Sequence, residues 1–196
     1  MGDIAEKIYS IAVDGPSGAG KSSLAKAIAA ELHILYVDTG AIYRTIGCYA
    51  RRKGVETADT EAIIALLPEV EIGMCYDAQG LQHMLLHGED VTEEIRLPEM
   101  SLYASAVSAI PEVRAFLLEM QRDFARKSSV IMDGRDIGTV VLPHADVKIF
   151  LKADVEVRAR RRENELQERG TPRPYKQVRE EMRQRDYNDT HRSAAP

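Results

Sequence analysis

The chain has 196 residues, 44% hydrophobic and 29% charged, with a formal net charge of −5. That length fits one well-buried core, a single domain over residues 1–196 that carries insertions, and the composition excludes disordered and fibrous classes. Neither an apolar run long enough to span a membrane nor a charged-then-apolar leader is read in it, so no membrane span, no signal peptide and a cytoplasmic address are expected.

The first predicted element is the apolar run "IYSIAVDG", a strand ending at Asp14-Gly15. Behind it "SSLAKAIAAEL" sets Leu24, Ile28 and Leu32 at helical spacing. Between the two stands Gly15-Pro16-Ser17-Gly18-Ala19-Gly20-Lys21-Ser22, which fits G-x-x-x-x-G-K-[ST] at every fixed position. Glycines let backbone N–H groups converge on phosphate oxygens, and a helix N-terminus behind them adds partial positive charge. The loop with Ser23 is therefore a candidate triphosphate cradle, in which Lys21 reaches the β- and γ-phosphates and Ser22 is a candidate Mg²⁺ ligand.

A second strand, Ile34 to Val37, and a helix through "GAIYRTIGCYARRKG" follow. Strands alternating with helices imply parallel pairing with right-handed crossovers, hence an α/β doubly wound sheet with helices on both faces. Between Glu69 and Arg96 the period changes to two. Val70, Ile72, Met74 and Tyr76 alternate with polar or small residues, "DAQG" is a turn, and another turn follows at His87-Gly88-Glu89-Asp90. A small antiparallel β subdomain inserted over residues 63–100 is expected. His83 and His87 fall here, not on a helix face, so a metal site is not expected of them, and Cys48 and Cys75 match no disulfide or zinc spacing.

Helix is then predicted from Pro98 to about Arg126, restarted at Pro111, which suits a first helical turn. Val130 to Met132 is a third parallel strand ending on Asp133, a candidate carboxylate for orienting Mg²⁺ or its waters. Val147 to Leu151 is a fourth strand. A charged helix runs from Asp154 to Gly170, and a last one from Tyr175 to about Arg192. This final stretch carries ten arginines. It reads either as a solvated helix laced with pairs such as Glu165 to Arg169 or as an anion-binding surface.

No guanine-reading N-K-x-D element is present, and the D-x-x-G match Asp77 to Gly80 falls in the predicted hairpin, so a GTPase switch is excluded. A motor or helicase needs far more chain. A small kinase remains, and its acceptor needs cations of its own opposite the loop. Arg44, Arg114, Arg135, Arg185 and Arg192 are the candidates. Arg185, Asp189 and Arg192 stand at i, i+4 and i+7 on one helix face, where an intrahelical salt-bridge ladder is the competing reading.

Taken together, "DGPSGAGKS", "DTGAIYR", "GEDVTEEIR", "ASAVSAIPEVR", "DGRDIGTVVLPHADVKIFL" and "QRDYNDTHR" resemble the bacterial cytidylate kinases, in order and over nearly the whole chain. The resemblance implies transfer of the γ-phosphoryl group of ATP to CMP and dCMP with Mg²⁺, by a cytoplasmic monomer that binds neither nucleic acid nor membrane. It implies that Arg44, Arg135 and Arg192 hold the CMP phosphate and that Ser105, Arg114 and Asp136 read the cytosine. Arg185 and Asp189 are implied to bind the ribose, and Thr39 to lie near the nucleotide. Residues 155–175 correspond to a mobile lid, with Arg158 and Arg162 as its catalytic arginines beside Lys21. The family also continues with another strand and helix that this sequence lacks. A P-loop kinase for another small acceptor, and an ATP-sensing module without turnover, are the alternatives.

Overall fold

The computed structural model describes residues 8–192, 194 and 195. Residues 1–7, 193 and 196 of the expected domain lie outside them. β1 (Ser10–Asp14), α1 (Lys21–Leu32), β2 (Leu35–Asp38) and α2 (Thr39–Arg52) follow the predicted alternation, with β2 one residue later than expected. α3 (Thr60–Leu66) was not anticipated. Its seven residues are too few to show a helical period, and it is started by Asp59, whose carboxylate accepts from the Ala62 N–H at 3.0 Å. Residue 63, the expected start of the insertion, lies inside this helix.

β3 (Ile72–Tyr76) and β4 (Gln82–Leu86) pair antiparallel with Met74 opposite Met84. The turn expected over His87–Asp90 is confined to His87 and Gly88, and Glu89–Asp90 form a third strand, β5. A 3-10 turn (Glu94–Arg96) leads to α4 (Met100–Ser108) and α5 (Pro111–Lys127), which starts on its proline. β6 (Val130–Gly134) is followed by a π-helical turn (Ile137–Val141) that sequence periodicity gave no sign of. β7 (Val147–Phe150), α6 (Val155–Glu168) and α7 (Tyr175–His191) complete the order.

The main sheet runs β2-β6-β1-β7, all parallel. Both faces are covered, and period two sorts the strands between them. Ile11, Val13, Tyr36 and Ile131 face α1 through Ala25 and Ala29. Ala12, Val37, Val130 and Met132 face the other way, into a larger core with Ile42, Ile46, Met100, Val113 and Leu117 from α2, α4 and α5. Met84, Leu86, Val91 and Ile95 belong to that same core, so the small sheet is cemented to the domain. Gly47 lets α2 and α4 touch, since a Cβ there would stand 2.6 Å from the Tyr103 Cβ. α6 and α7 form a hairpin with its own apolar seam of Ala159, Leu166, Val178 and Met182. Cys48 and Cys75 are both free thiols. No helix among the described residues is long and apolar enough to cross a membrane.

Candidate active site

The carboxyl ends of β2, β6 and β1 lie side by side, with Asp38 in register with Asp133 and Asp14 with Gly134. Ligands of open parallel sheets bind beyond those ends, and the glycine loop leaves from the end of β1. Gly15 has φ 145°, and a Cβ there would sit 2.1 Å from the Leu151 carbonyl oxygen, so only glycine closes the loop against β7. Gly20 has φ 97° at the head of α1, which has neither a side-chain cap nor an acidic residue in its first turn. Its leading N–H groups stay available to an anion. Ser22 and Ser23 are exposed on that first turn. Lys21 is 6% exposed and its Nζ folds back to the Pro16 carbonyl at 2.9 Å.

Asp133 accepts from Ser22 Oγ on one carboxylate oxygen and from the Tyr36 hydroxyl on the other, each at 2.9 Å. Burial pushes Asp133 up to about 6, with the charge of Asp38 adding to it. Ser22 and Asp133 thus offer adjacent hard oxygen donors, which suits Mg²⁺, an ion that takes one or two protein oxygens and leaves the rest of its shell to phosphates and water. Among the described residues no group of three or more His, Cys, Asp and Glu forms a metal cage. His83 instead bridges Asp90 at 2.8 Å and Asp77 at 3.4 Å.

Opposite the loop stand the arginines. Asp38 caps α2 by accepting from the Ala41 N–H at 3.0 Å and also takes Arg44 at 2.8 Å. Burial would raise Asp38, but Arg44 and the Ala41 N–H outweigh it and hold the carboxyl low. Thr39 is buried and donates to the Asp133 carbonyl at 2.7 Å, so its hydroxyl ties α2 to β6. Arg135 bonds Asp189 at 2.9 Å. Asp136, 5% exposed, is paired with Arg114 and lies 3.9 Å from Arg192. Asp189 and Arg192 therefore pair across elements and not along α7, so the intrahelical ladder is not what α7 builds. Ser105 is half-buried on α4, whose last turn is tied to Arg114 by a 3.1 Å bond from Arg114 to the Ser108 carbonyl.

The cations outnumber their partners. Lys21 is pushed down to about 7 by burial and by Arg135, with Asp133 opposing and Arg185 adding. Arg185 is pushed down to about 10 by burial and Arg135, with Asp189 opposing and Arg44 and Arg162 adding. The Nε atoms of Arg44 and Arg185 are shielded from solvent and take no partner among the described residues. Like charges that depress one another's protonation make an anion hole. A cavity of about 460 Å³ is lined both by Gly15 and Pro16 of the loop and by Arg135, Asp189 and Arg192.

The α6–α7 hairpin divides. Arg160, Arg173 and Arg183 pair with Glu163, Glu181 and Glu156 at the surface. Glu165 takes Arg162 at 3.1 Å, not the Arg169 expected of it. Arg158 is different, 4% exposed, with Asp186 held by both terminal nitrogens at 3.1 and 2.5 Å, Ser17 O at 3.0 Å and Ala153 O at 2.8 Å. It joins the loop, the start of α6 and α7, and it is not the solvated residue a charged helix implied. Arg162 and Arg169 face Glu93 and Arg96 across a cavity of about 350 Å³.

Several site residues escaped sequence reasoning. Tyr43 packs its ring 5.6 Å from the Arg114 guanidinium, and its hydroxyl is pushed up by burial, with Arg114 opposing and Asp136 adding. Its place beside Arg44 in "DTGAIYR" was the available signal. Gln82 of β4 grips both the N–H and the carbonyl of Asp38, at 2.7 and 3.3 Å. Nothing in the alternation of β4 marks that role.

Residues 11–196 match the protein family described as Cytidylate kinase. A cytidylate kinase of Caldicellulosiruptor saccharolyticus is 49% identical over 190 residues, 97% of this chain and 84% of that protein. One from Pelotomaculum thermopropionicum is 49% identical over 186 residues, covering 95% and 82%. One from Solibacter usitatus is 44% identical over 200 residues, covering 100% and 83%.

Proposed function

The chain belongs to the cytidylate kinase family, and from that premise we propose that it transfers the γ-phosphoryl group of ATP to CMP, and to dCMP, giving the diphosphate and ADP. The observation that carries this reading is a cation excess in one cleft lined from two sides, by Gly15 and Pro16 of the glycine loop and by Arg135 and Arg192, with the shielded Nε atoms of Arg44 and Arg185 left without partners among the described residues. Two polyanions have to be brought together for phosphoryl transfer, and such an excess offsets their repulsion.

On the donor side, residues Gly15 to Ser23 cradle the ATP phosphates and Lys21 meets the β- and γ-phosphates. Ser22 would hold Mg²⁺ and Asp133 would hold it through water, the ion supplying charge neutralisation on the phosphates. On the acceptor side, Arg44, Arg135 and Arg192 take the CMP phosphate, as planar forks suited to its oxygens. Arg185 and Asp189 take the ribose hydroxyls. Ser105, Arg114 and Asp136 meet the cytosine, whose exocyclic amine donates to the Asp136 carboxylate. Uracil places an oxygen there, which a buried carboxylate repels, and the site thereby selects C over U. The attacking phosphate oxygen is already a nucleophile near neutral pH, so no general base is required.

The small sheet within 63–100 is the subdomain that frames the monophosphate, and residues 155–175 are the lid. Arg162 brings charge toward Arg185 on closure, while Arg158, its fork already occupied, holds the lid to the loop. Both halves of the cleft come from one chain, so a single copy carries every residue this reading assigns to ATP and CMP. A coupled ADP-release assay over CMP, dCMP, UMP, AMP and shikimate tests the reading. CMP and dCMP should be turned over best. No release with any acceptor refutes kinase action, and a preference for UMP or AMP refutes the acceptor.

A further inference from the structure

We propose that Asp14 is a positioning residue for recognition of the acceptor base, because its carboxylate fixes the backbone that immediately follows Asp136. The proposal rests on the reading above of Asp136 as the group that meets the cytosine amine.

Asp14 ends β1 one residue ahead of the glycine loop, and it is 7% exposed. Its two carboxylate oxygens accept from the Ile137 N–H and the Gly138 N–H, each at 2.8 Å. Those N–H groups open the π-helical turn over Ile137–Val141, where no carbonyl of the turn can take them. A carboxylate at such a start satisfies both and is favoured by the turn's exposed positive end. The approach is close, since a Cβ on Gly138 would lie 3.3 Å from the nearer Asp14 oxygen.

Asp136 is the residue before this turn, and its carbonyl accepts from the Val140 N–H at 2.8 Å. Its side chain points between Arg114 and Arg192. The aim of that carboxylate is therefore set by the backbone that Asp14 grips. The strand end does not depend on the grip in the same way. The Leu151 N–H donates to the Asp14 carbonyl at 2.7 Å, and Asp14 is in register with Gly134 and Phe150 on both sides. Loss of the carboxylate frees residues 137 and 138 and leaves the start of the glycine loop in place. Asp14 thus ties the backbone behind the reader of the acceptor base to the end of β1.

Asp14→Asn is the test, because it keeps the shape but turns an NH₂ toward one of the two N–H groups. The kcat/KM for CMP should fall about tenfold to a hundredfold, the CMP:UMP preference should fall with it, and the KM for ATP should stay within about twofold. In an Asp136→Asn background the same change should lower the CMP:UMP preference no further, since the two residues act as one unit. Should the asparagine variant fold poorly, Asp14→Glu gives the same readout with the charge kept and its reach altered. An unchanged CMP:UMP preference, a loss confined to the KM for ATP, or additive effects in the double variant would overturn the proposal. A wild-type protein without CMP preference overturns the functional reading, and this inference with it, before any variant is made.

Discussion

Replacing Arg158 by alanine separates a structural tie from a group acting on the transferring phosphate. The side chain is 5% exposed and its partner Asp186 28% exposed, with carbonyls of Ser17 and Ala153 completing the set. Breaking a buried ion pair by removing one partner costs about 3–5 kcal/mol. Asp186 can be partly rehydrated, so we expect about 2–4 kcal/mol. In a chain of this size that corresponds to a fall in Tm of roughly 5–15 °C. Urea unfolding read by circular dichroism, beside steady-state kinetics, checks it. Arg158→Lys should recover less than half of the lost stability, because an ammonium cannot span the two Asp186 oxygens and Ser17 together. A Tm within about 2 °C of wild type, with kcat reduced about a thousandfold, would refute this account and place Arg158 on the phosphoryl group.

Gly47→Ala should destabilise by about 1–3 kcal/mol through the clash with Tyr103, more than the roughly 1 kcal/mol that alanine adds in helix propensity, and a lower urea midpoint with unchanged slope checks it. The His83 ring is held above its ordinary range by Asp90 and then Asp77, while Asp90 is held down to about 2 by Thr92 first and His83 further on. The histidine's contribution is fully present below its unfolded value near 6.5 and is lost as pH rises through the folded one. The carboxylate's is present above about 3.9 and lost as pH falls toward 2. An NMR titration of His83 should therefore give a midpoint above about 6.5 that drops in Asp90→Asn, and the protection of β4 and β5 amides, taken relative to the intrinsic exchange rate at each pH, should be lower at pH 8 than at pH 6. Lys21→Met should lower kcat/KM at least about a hundredfold by removing charge from the donor phosphates, with CMP binding by calorimetry changed much less.

The parts of the site that are local in sequence were legible in it. The glycine loop carries its geometry in its own spacing, and Gly15 at φ 145° with α1 uncapped behind it is what that spacing demands. The parallel strands were legible because burial on both faces leaves short apolar runs, and the small sheet because its period is two. What failed was set by distant partners. The first N–H of the turn after Asp136 is taken by a carboxylate 123 positions earlier, at Asp14. The burial of Arg158 depends on Asp186, across a hairpin whose composition reads as solvated. Asp189 and Arg192 fit an intrahelical ladder by spacing, and only the packing of α7 near Arg135 and Asp136 decides against it. Short α3 lacks the length to show a period, and its capping Asp59 is one carboxylate among many.

We propose that the cleft reads cytosine on the carboxylate of Asp136, which is buried. The ratio of kcat/KM for CMP to that for UMP, measured in the wild-type protein and in Asp136→Ala with ATP saturating, tests it most directly. The wild-type ratio should lie well above one and fall at least about tenfold in the variant, with the KM for ATP little changed. A ratio that stays fixed while ATP binding weakens would contradict it.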